Sequence, residues 1–145
     1  MMTHKSITII IPCYNEQEIL KETYNRIKKV VSELKLDTCM LFINDGSTDN
    51  TKKILTEIKK DSAVKVINFS RNFGHQAAVT AGINNCKSDL AVILDADLQD
   101  PPELIPEMIE TLKNNNANVV YAVRKLRKGE NFIKKASAKL FYRLL

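Results

Sequence analysis

The stretch Ala91-Val-Ile-Leu-Asp-Ala-Asp-Leu-Gln-Asp-Pro-Pro102 decides how the rest of the chain is interpreted. Its first four residues are apolar and predict a short buried strand. The two prolines at its end prevent further strand pairing and favour the start of a helix. Between these signals, Asp95 and Asp97 occupy positions i and i+2 of an extended segment, so both carboxylates are expected to point the same way.

Two carboxylates at the end of a buried strand need a partner of opposite charge. Mg²⁺ or Mn²⁺ would neutralise Asp95 and Asp97 while leaving coordination sites for phosphate oxygens. An Asp-x-Asp pattern also arises by chance in roughly a third of chains of this length, because about a quarter of residues are charged. The position of this one, after an apolar strand, favours the metal interpretation, since open α/β sheets bind ligands at the carboxyl ends of their strands.

Apolar strands and amphipathic helices alternate along the rest of the chain. Strands are predicted at residues 7–11, 39–43, 64–69, 91–94 and 119–123. A helix is predicted after each of the first four strands, and Ser47 or Thr48 is expected to cap the second helix. This alternation predicts a parallel sheet with right-handed crossovers. The polar clusters at residues 12–16, 44–49 and 95–99 then share the carboxyl edge of that sheet.

Composition and charge exclude several classes of protein. The apolar fraction of 44% in 145 residues suits one globular domain, and Cys13, Cys39 and Cys86 lack the spacing of a redox or zinc motif, as expected of reduced cytosolic thiols. The net charge of +5 is uneven, because eight basic and one acidic residue lie from Arg124 onward, leaving 14 basic and 16 acidic before it. A basic tail on a slightly acidic body argues against a nucleic-acid-binding domain. No Gly-x-Gly-x-x-Gly follows a strand, which disfavours a Rossmann dehydrogenase.

The two polar clusters that precede the Asp pair suit a nucleoside. Asp45 ends the second predicted strand, where its carboxylate can accept a hydrogen bond from a base or a ribose hydroxyl. Glu16 can bind a further hydroxyl, and the ring of Tyr14 can pack beside a base. Alternatively, Asp45 and Glu16 only cap the helices that follow them. Arg124 either meets diphosphate charge as a bidentate donor or is simply solvated, and His75 is expected to be an ordinary loop histidine.

Four ordered motifs carry a resemblance to a known family. They are Ile9-Ile-Ile-Pro-Cys-Tyr-Asn-Glu16, Asn44-Asp-Gly-Ser-Thr-Asp-Asn-Thr51, Phe69-Ser-Arg-Asn-Phe-Gly74 and Asp95-Ala-Asp-Leu-Gln-Asp-Pro-Pro102. Together they resemble the inverting glycosyltransferases of family 2. With Arg124-Lys-Leu-Arg-Lys-Gly-Glu130 and Lys139-Leu-Phe-Tyr142, the chain resembles the bacterial polyprenyl-phosphate (undecaprenyl-phosphate) glycosyltransferases, which are relatives of dolichol-phosphate mannose synthase.

The resemblance implies a fold and a set of roles. The fold would be that of nucleotide-diphospho-sugar transferases, an open and mostly parallel α/β sheet with helices on both faces, with residues 1–125 as the catalytic domain. The implied nucleotide-sugar-binding residues are Pro12, Tyr14, Glu16, Ile43, Asp45, Ala96 and Arg124. The implied metal ligands are Asp95, Asp97 and Gln99, of which the two aspartates are also catalytic. Asn44 departs from the pattern, because the family often has a first Asp at that position.

The implied reaction transfers a sugar, with inversion, from a nucleotide-diphospho-sugar such as a UDP-sugar to a polyprenyl phosphate. Mg²⁺ or Mn²⁺ would stabilise the charge that develops on the leaving nucleoside diphosphate. A lipid phosphate is already ionised near neutral pH, since such second ionisations lie at about 6, whereas an alcohol acceptor would need a general base. The alternatives are a family 2 enzyme with a glycan acceptor and a non-catalytic nucleotide-sugar-binding fragment.

Residues 126–145 predict a basic amphipathic helix. Lys135, Lys139 and Arg143 share one face, and an apolar stripe occupies another. This pattern is typical of a helix on an anionic membrane surface, which would place the protein at the cytoplasmic face of the cell membrane. Alternatively, the helix packs on a further segment of protein. Members of the resembled family continue past the position of Tyr142, so the resemblance implies a C-terminal truncation.

Overall fold

The computed structural model describes residues 4–123, which alternate between strands and helices. The elements are β1 (Ser6–Cys13), α1 (Leu20–Glu33), β2 (Asp37–Asn44), α2 (Thr51–Ile58), β3 (Val64–Asn68), α3 (His75–Asn85) and β4 (Leu90–Ile93). A short 3₁₀ turn at Pro102–Leu104 then leads into α4 (Ile105–Asn114). The predicted α/β class is confirmed.

The four strands form one sheet in the order β3-β2-β1-β4, and every neighbouring pair is parallel. The central strand β1 therefore has β2 on one side and β4 on the other. The chain moves outward from β1 through β2 to β3 and then returns across the sheet to β4. The strand order consequently reverses between β1 and β4. Sheets of this kind form a ligand crevice at the carboxyl ends of the two strands that flank such a topological switch point.

Helices cover both faces of the sheet, as the sequence predicts. On one face, Ile7, Ile9 and Ile11 of β1 lie in a core that includes apolar residues of α1, α2 and α4. On the opposite face, Ile10 of β1 lies in a smaller cluster with Ala78 of α3. Because both faces of β1 are buried, its sequence is a continuous apolar run and not an alternating one.

The edge strand β4 differs from the buried strand predicted for this segment. Its residues alternate between partly buried and exposed, and Ile93 is 49% exposed. The physical reason is position, because among the described residues β4 pairs only with β1, and an edge strand with one uncovered face keeps half of its side chains in water.

The fifth strand predicted at residues 119–123 is not present. The segment forms no hydrogen-bonded ladder with a described strand. Val119, Tyr121 and Val123 are 77%, 78% and 71% exposed. A strand requires hydrogen-bonded neighbours, and residues 4–123 provide none for this segment. A short run of apolar residues alone is therefore insufficient to form a strand here.

The predicted cap of α2 is also wrong. The helix begins at Thr51, and the Oδ1 atom of Asp49 accepts the N–H of Thr51 at 2.9 Å. The hydroxyl of Ser47 instead accepts the N–H of Asn15 at 3.0 Å. The serine therefore joins two loops and does not start the helix.

Some predictions concern residues that the structure does not describe. Arg124, the domain boundary after residue 125 and the basic amphipathic segment at 126–145 all lie outside residues 4–123. Within the described part of the chain, every helix is too short or too polar to cross a bilayer.

Candidate functional site

A cleft of about 260 Å³ opens at the carboxyl ends of β1 and β4. It is lined by Pro12, Cys13, Tyr14, Glu16, Asp45, Asn72, His75, Ala78, Asp95, Ala96 and Asp97. These residues come from the ends of three strands and from the start of α3. The cleft therefore lies at the switch point that the strand order defines.

The loops after β1 and β2 are joined by hydrogen bonds that fix one wall of the cleft. Asn15 has a left-handed backbone (φ 56°), and its Oδ1 accepts the N–H of Thr48 at 2.9 Å while its own N–H donates to Ser47. The N–H of Glu16 donates to Oγ1 of Thr51 at 2.9 Å. The backbone that carries the Glu16 side chain is thus held by hydrogen bonds to the loop after β2 and to the start of α2.

Asp45 is buried, at 3% exposure, although it carries a carboxylate. Its Oδ1 accepts the N–H of Phe73 at 2.7 Å, and its Oδ2 accepts the N–H of Gly74 at 2.9 Å. Backbone donors of this kind compensate a buried carboxylate for lost water. Asp45 therefore ties the end of β2 to the segment that begins α3, and it still lines the cleft.

The structure gives a reason for the asparagine at position 44. The Nδ2 of Asn44 donates to Oδ1 of Asn68 at 2.9 Å, and its Oδ1 accepts the N–H of Ser47 at 3.0 Å. Asn44 is only 2% exposed. An ionised aspartate there would have no proton for the amide oxygen of Asn68, so the amide suits this site.

The segment with Asp95 and Asp97 is positioned by a turn and not by strand alternation. β4 ends at Ile93, and the chain turns at residues 96–97. The hydroxyl of Thr23 on α1 donates to the carbonyl of Ala96 at 2.6 Å, and Oδ1 of Asp97 accepts the N–H of Gln99 at 3.0 Å. Both aspartates line the cleft as predicted, but the extended geometry expected from their i, i+2 spacing is not what places them there.

The electrostatics of the cleft are dominated by carboxylates. Burial, and then the nearby charges of Asp97, Asp49 and Asp95, raise the pKa of Glu16. Burial, followed by the charge of Glu16 and other carboxylates, raises the pKa of the Cys13 thiol to about 12. The thiol is therefore neutral at physiological pH and is not a nucleophile.

The site's fit to a divalent cation can be judged from its donor set. Carboxylate oxygens, such as those of Asp95 and Asp97, are the ligands that Mg²⁺ and Mn²⁺ prefer. Among residues 4–123, no group of three or more His, Cys, Asp or Glu side chains is arranged to hold a metal alone. Any ion at this cleft would therefore take further ligands from substrate or water, which is usual for Mg²⁺.

The predicted site residues divide into those that the structure brings together and those that it does not. Pro12, Tyr14, Glu16, Asp45, Asp95, Ala96 and Asp97 all line the cleft. Ile43 is fully buried in the core cluster beneath α3, and Gln99 is exposed and does not line the cleft.

The sequence patterns did not predict three residues of the site, His75, Asn72 and Thr23. His75 and Asn72 line the cleft, and Thr23 holds the turn at Ala96. A signal for His75 was available, because it begins the helix after β3, and the start of such a helix lies at the carboxyl edge of a parallel sheet. For Thr23 there was none, since a threonine inside an amphipathic helix has many ordinary roles.

The fold is similar to that of solved glycosyltransferases. A structure of S. aureus TarS 1-349 in complex with UDP matches with a TM-score of 0.67 at 17% identity, over 86% of this chain and 38% of that one. The mannosyltransferase PcManGT from Pyrobaculum calidifontis, in complex with GDP-Man and Mn²⁺, matches with a TM-score of 0.58 at 20% identity, over 68% of this chain and 34% of that one. At these identities the likeness establishes the fold, and it confirms the predicted sheet architecture.

Sequence relatives are closer. An uncharacterized glycosyltransferase of Bacillus subtilis, YkcC, is 52% identical over all of this chain and 45% of its own length. The undecaprenyl-phosphate 4-deoxy-4-formamido-L-arabinose transferase of Proteus mirabilis is 34% identical over 92% of this chain and 41% of its own length. The chain thus spans less than half the length of these relatives. The family described as glycosyl transferase family 2 matches residues 8–144, and the chain belongs to that family.

Proposed function

We propose that this chain binds the nucleotide-diphospho-sugar donor of a glycosyltransferase, expected to be a UDP-sugar, together with Mg²⁺ or Mn²⁺. In the protein as its gene encodes it, the sugar would pass with inversion to a polyprenyl phosphate. This reaction would take place at an anionic membrane surface on the cytoplasmic side, where the basic residues from Arg124 onward would be attracted.

The observation that carries the proposal is the charge of the cleft. Glu16, Asp95 and Asp97 line it together, and burial and mutual repulsion raise the pKa of Glu16. A diphosphate would be repelled from such a surface unless a cation intervened. A divalent ion held by Asp95 and Asp97 would neutralise both the protein and the diphosphate, and it would stabilise the charge of the leaving group.

The chain's own residues bind and orient the nucleoside in this proposal. Tyr14 is 43% exposed and lines the cleft, where its ring would offer a face for a base. Glu16 offers a carboxylate to a ribose hydroxyl from a loop that hydrogen bonds hold in place. Because both oxygens of Asp45 already accept backbone N–H groups, its contact with a nucleoside would use their remaining lone pairs.

Relatives support the finer parts of the proposal. The Proteus mirabilis and Klebsiella pneumoniae relatives are both named undecaprenyl-phosphate 4-deoxy-4-formamido-L-arabinose transferase. Solved structures of the same fold contain UDP in one case and GDP-Man with Mn²⁺ in another. These are properties of those proteins, and they make a polyprenyl phosphate and a divalent cation the first ligands to test here.

A hydroxyl acceptor is the second candidate, and one observation favours it. The raised pKa of Glu16 moves this carboxylate toward the range of a general base. A phosphate acceptor needs no such base because it is already ionised. The two acceptors are therefore distinguished by whether polyprenyl phosphate or the corresponding polyprenol receives the sugar.

The first part of the test is calorimetric titration of this chain with UDP-sugars, in excess Mg²⁺ or Mn²⁺ and then in excess chelator. Removing a group that merely orients a metal ligand costs about 10–100-fold in affinity, so Asp97→Asn should weaken binding in metal by about 100-fold or more. Asp37→Asn is the matched control, because Asp37 is exposed at the start of β2, far from the cleft. Equal donor affinity with and without metal would contradict the proposal.

The second part is transfer of radiolabelled sugar by the protein as its gene encodes it. Label is expected on polyprenyl phosphate and not on polyprenol. Label on polyprenol, or on a soluble glycan, would reject the phosphate acceptor and favour the hydroxyl acceptor.

A further inference from the structure

His75 is placed in the cleft by the structure, although its sequence context suggested an ordinary loop residue. It is the first residue of α3, its side chain is 59% exposed, and its Nε2 lies 3.8 Å from Oδ1 of Asp95. That distance is longer than a hydrogen bond, so the two groups are close neighbours without one. The Nε2 atom of His75 therefore lies beside the Asp95 carboxylate, and both residues line the same cleft.

The backbone that carries His75 is firmly held. The N–H groups of Phe73 and Gly74 donate to the buried carboxylate of Asp45. The carbonyl of Gly74 accepts the N–H groups of Ala77 and Ala78 in the first turn of the helix. The ring therefore extends into the cleft from an ordered backbone. This lowers the conformational entropy that binding a ligand through the ring would cost.

The charge of the cleft gives His75 a distinct role. Of the described residues that line it, Glu16, Asp45, Asp95 and Asp97 are acidic, whereas the imidazole of His75 offers an N–H donor. Even a neutral imidazole presents one N–H donor. A diphosphate attracted by a cation on Asp95 would therefore lie close to this N–H donor.

We infer that His75 donates a hydrogen bond to a diphosphate oxygen of the nucleotide sugar. The inference rests on the proposed function, because it assumes that the cleft binds such a donor with a divalent cation. It makes His75 a substrate-binding residue that contacts the diphosphate and not the nucleoside. The contact would be retained by the leaving nucleoside diphosphate.

The test compares His75→Ala with wild type by calorimetry in saturating Mg²⁺. Among UDP, GDP, CDP and dTDP, the diphosphate that wild type binds most tightly is the probe, and the corresponding nucleoside is the second ligand. Loss of one hydrogen bond to a charged group should weaken diphosphate binding by about 10-fold or more, and nucleoside binding should stay within about 2-fold. His75→Gln should recover part of the loss, because its amide retains N–H donors.

His4→Ala is the matched control, since His4 precedes β1 at the opposite edge of the sheet, and it should change neither affinity. Unchanged diphosphate affinity in His75→Ala would overturn the inference. A loss confined to Mg²⁺ affinity, measured by metal titration, would also overturn it by showing that His75 acts only through Asp95. If wild type binds none of the four diphosphates in metal, the proposed function itself fails and the inference falls with it.

Discussion

Carboxylates at the amino edge of the sheet, where its strands begin, have lowered pKa values, whereas Glu16 at the carboxyl edge, where the strands end, has a raised one. At the amino edge, Asp61 accepts hydrogen bonds from Lys28 and Tyr24, both at 2.7 Å, and these bonds lower its pKa to about 2. Asp89, just before β4, accepts the N–H groups of Lys5 and Ser6, which lower its pKa. At the carboxyl edge, burial and neighbouring carboxylates raise the pKa of Glu16. The carboxylates of the amino edge are thus stabilised by donors, whereas those around Glu16 at the carboxyl edge repel one another.

The carboxyl edge also contains carboxylates that hold its loops. Asp45 accepts two backbone N–H groups. Desolvation alone would raise the pKa of Asp49, but hydrogen bonds from Thr51 and Gln17 outweigh it and lower that pKa. The acidic residues of this edge therefore differ in role, since Asp45 and Asp49 hold loops through hydrogen bonds, whereas Asp95 and Asp97 line the cleft and one oxygen of Asp97 accepts the N–H of Gln99.

Cavity volume alone would favour the amino edge of the sheet over the edge that carries the candidate site. A groove of about 600 Å³ lies at the amino-terminal side of the strands, against about 260 Å³ for the cleft. The lysines Lys59, Lys65 and Lys87 line this groove, and it lies away from the switch point. The smaller cleft is the better candidate because titratable groups with shifted pKa values converge there.

The largest expected effect on folding is that of Asp45→Ala. The substitution removes two charge-assisted hydrogen bonds and leaves the N–H groups of Phe73 and Gly74 without an acceptor, while relieving the cost of a buried charge. We expect the free energy of unfolding to fall by about 2–4 kcal/mol, which lowers Tm by roughly 5–15 °C. Thermal and urea unfolding followed by circular dichroism measure this change.

Asp37→Ala is the control for that change, because Asp37 is an exposed residue at the start of β2, and it should alter stability by less than about 0.5 kcal/mol. Wild-type stability in Asp45→Ala would show that Asp45 belongs with the open cleft residues and not with the loop-holding ones.

An intermediate effect is expected for Asp61→Asn at the amino edge. The folded-state pKa of about 2 lies below the ordinary value of 3.8, so the ionised carboxylate stabilises the protein above pH 3.8. That contribution is lost as the pH falls toward about 2. We expect a loss of about 1 kcal/mol at pH 7, because the ion pair is partly exposed, and a smaller difference from wild type at pH 2.5. Urea unfolding at several pH values measures it, and a difference independent of pH would refute the assignment.

The smallest effect, with the opposite sign, is expected for Glu16→Gln. The folded-state pKa is raised above the ordinary value of 4.5, so ionisation of Glu16 costs stability as the pH rises through the folded-state pKa. The variant should be more stable than wild type at pH 7 by less than about 1 kcal/mol, and equally stable below pH 4.5. Added Mg²⁺ should reduce the gain.

Glu18→Gln is the matched control for Glu16→Gln, because Glu18 is exposed two residues away. Its stability should follow that of wild type at both pH values. Destabilisation by Glu16→Gln at pH 7 would show that Glu16 is a satisfied structural carboxylate, and the contrast between the edges would disappear.

The architecture and the edge that carries the site follow from local patterns. Both faces of β1 are buried, so its apolar run identified it, and the helical spacing around Ile27 identified α1. The polar clusters then had to meet at one edge because the strands are parallel. Patterns of this kind depend on neighbours in sequence, and they therefore predict elements and not pairing.

What sequence could not provide depends on partners distant in the chain. The pattern at residues 119–123 suits a strand, but only a neighbouring strand would make it one. Asp45 was expected to contact a nucleoside or to cap the helix after it, yet its carboxylate holds Phe73 and Gly74, 28 and 29 residues away. The 3.8 Å approach of His75 to Asp95 likewise depends on how α3 packs against β1 and β2.

The two outer strands of the sheet that residues 4–123 form differ in one further respect, which bears on self-association in concentrated solutions. The outer strand β3 carries the exposed Lys65, and a charged residue on an edge strand discourages addition of another chain. The outer strand β4 is Leu-Ala-Val-Ile, with no charge and with Ile93 half exposed. Further strands would therefore add beside β4 and not beside β3. Within residues 4–123, the edge open to another chain is therefore the uncharged one beside β4, and self-association is expected through that edge.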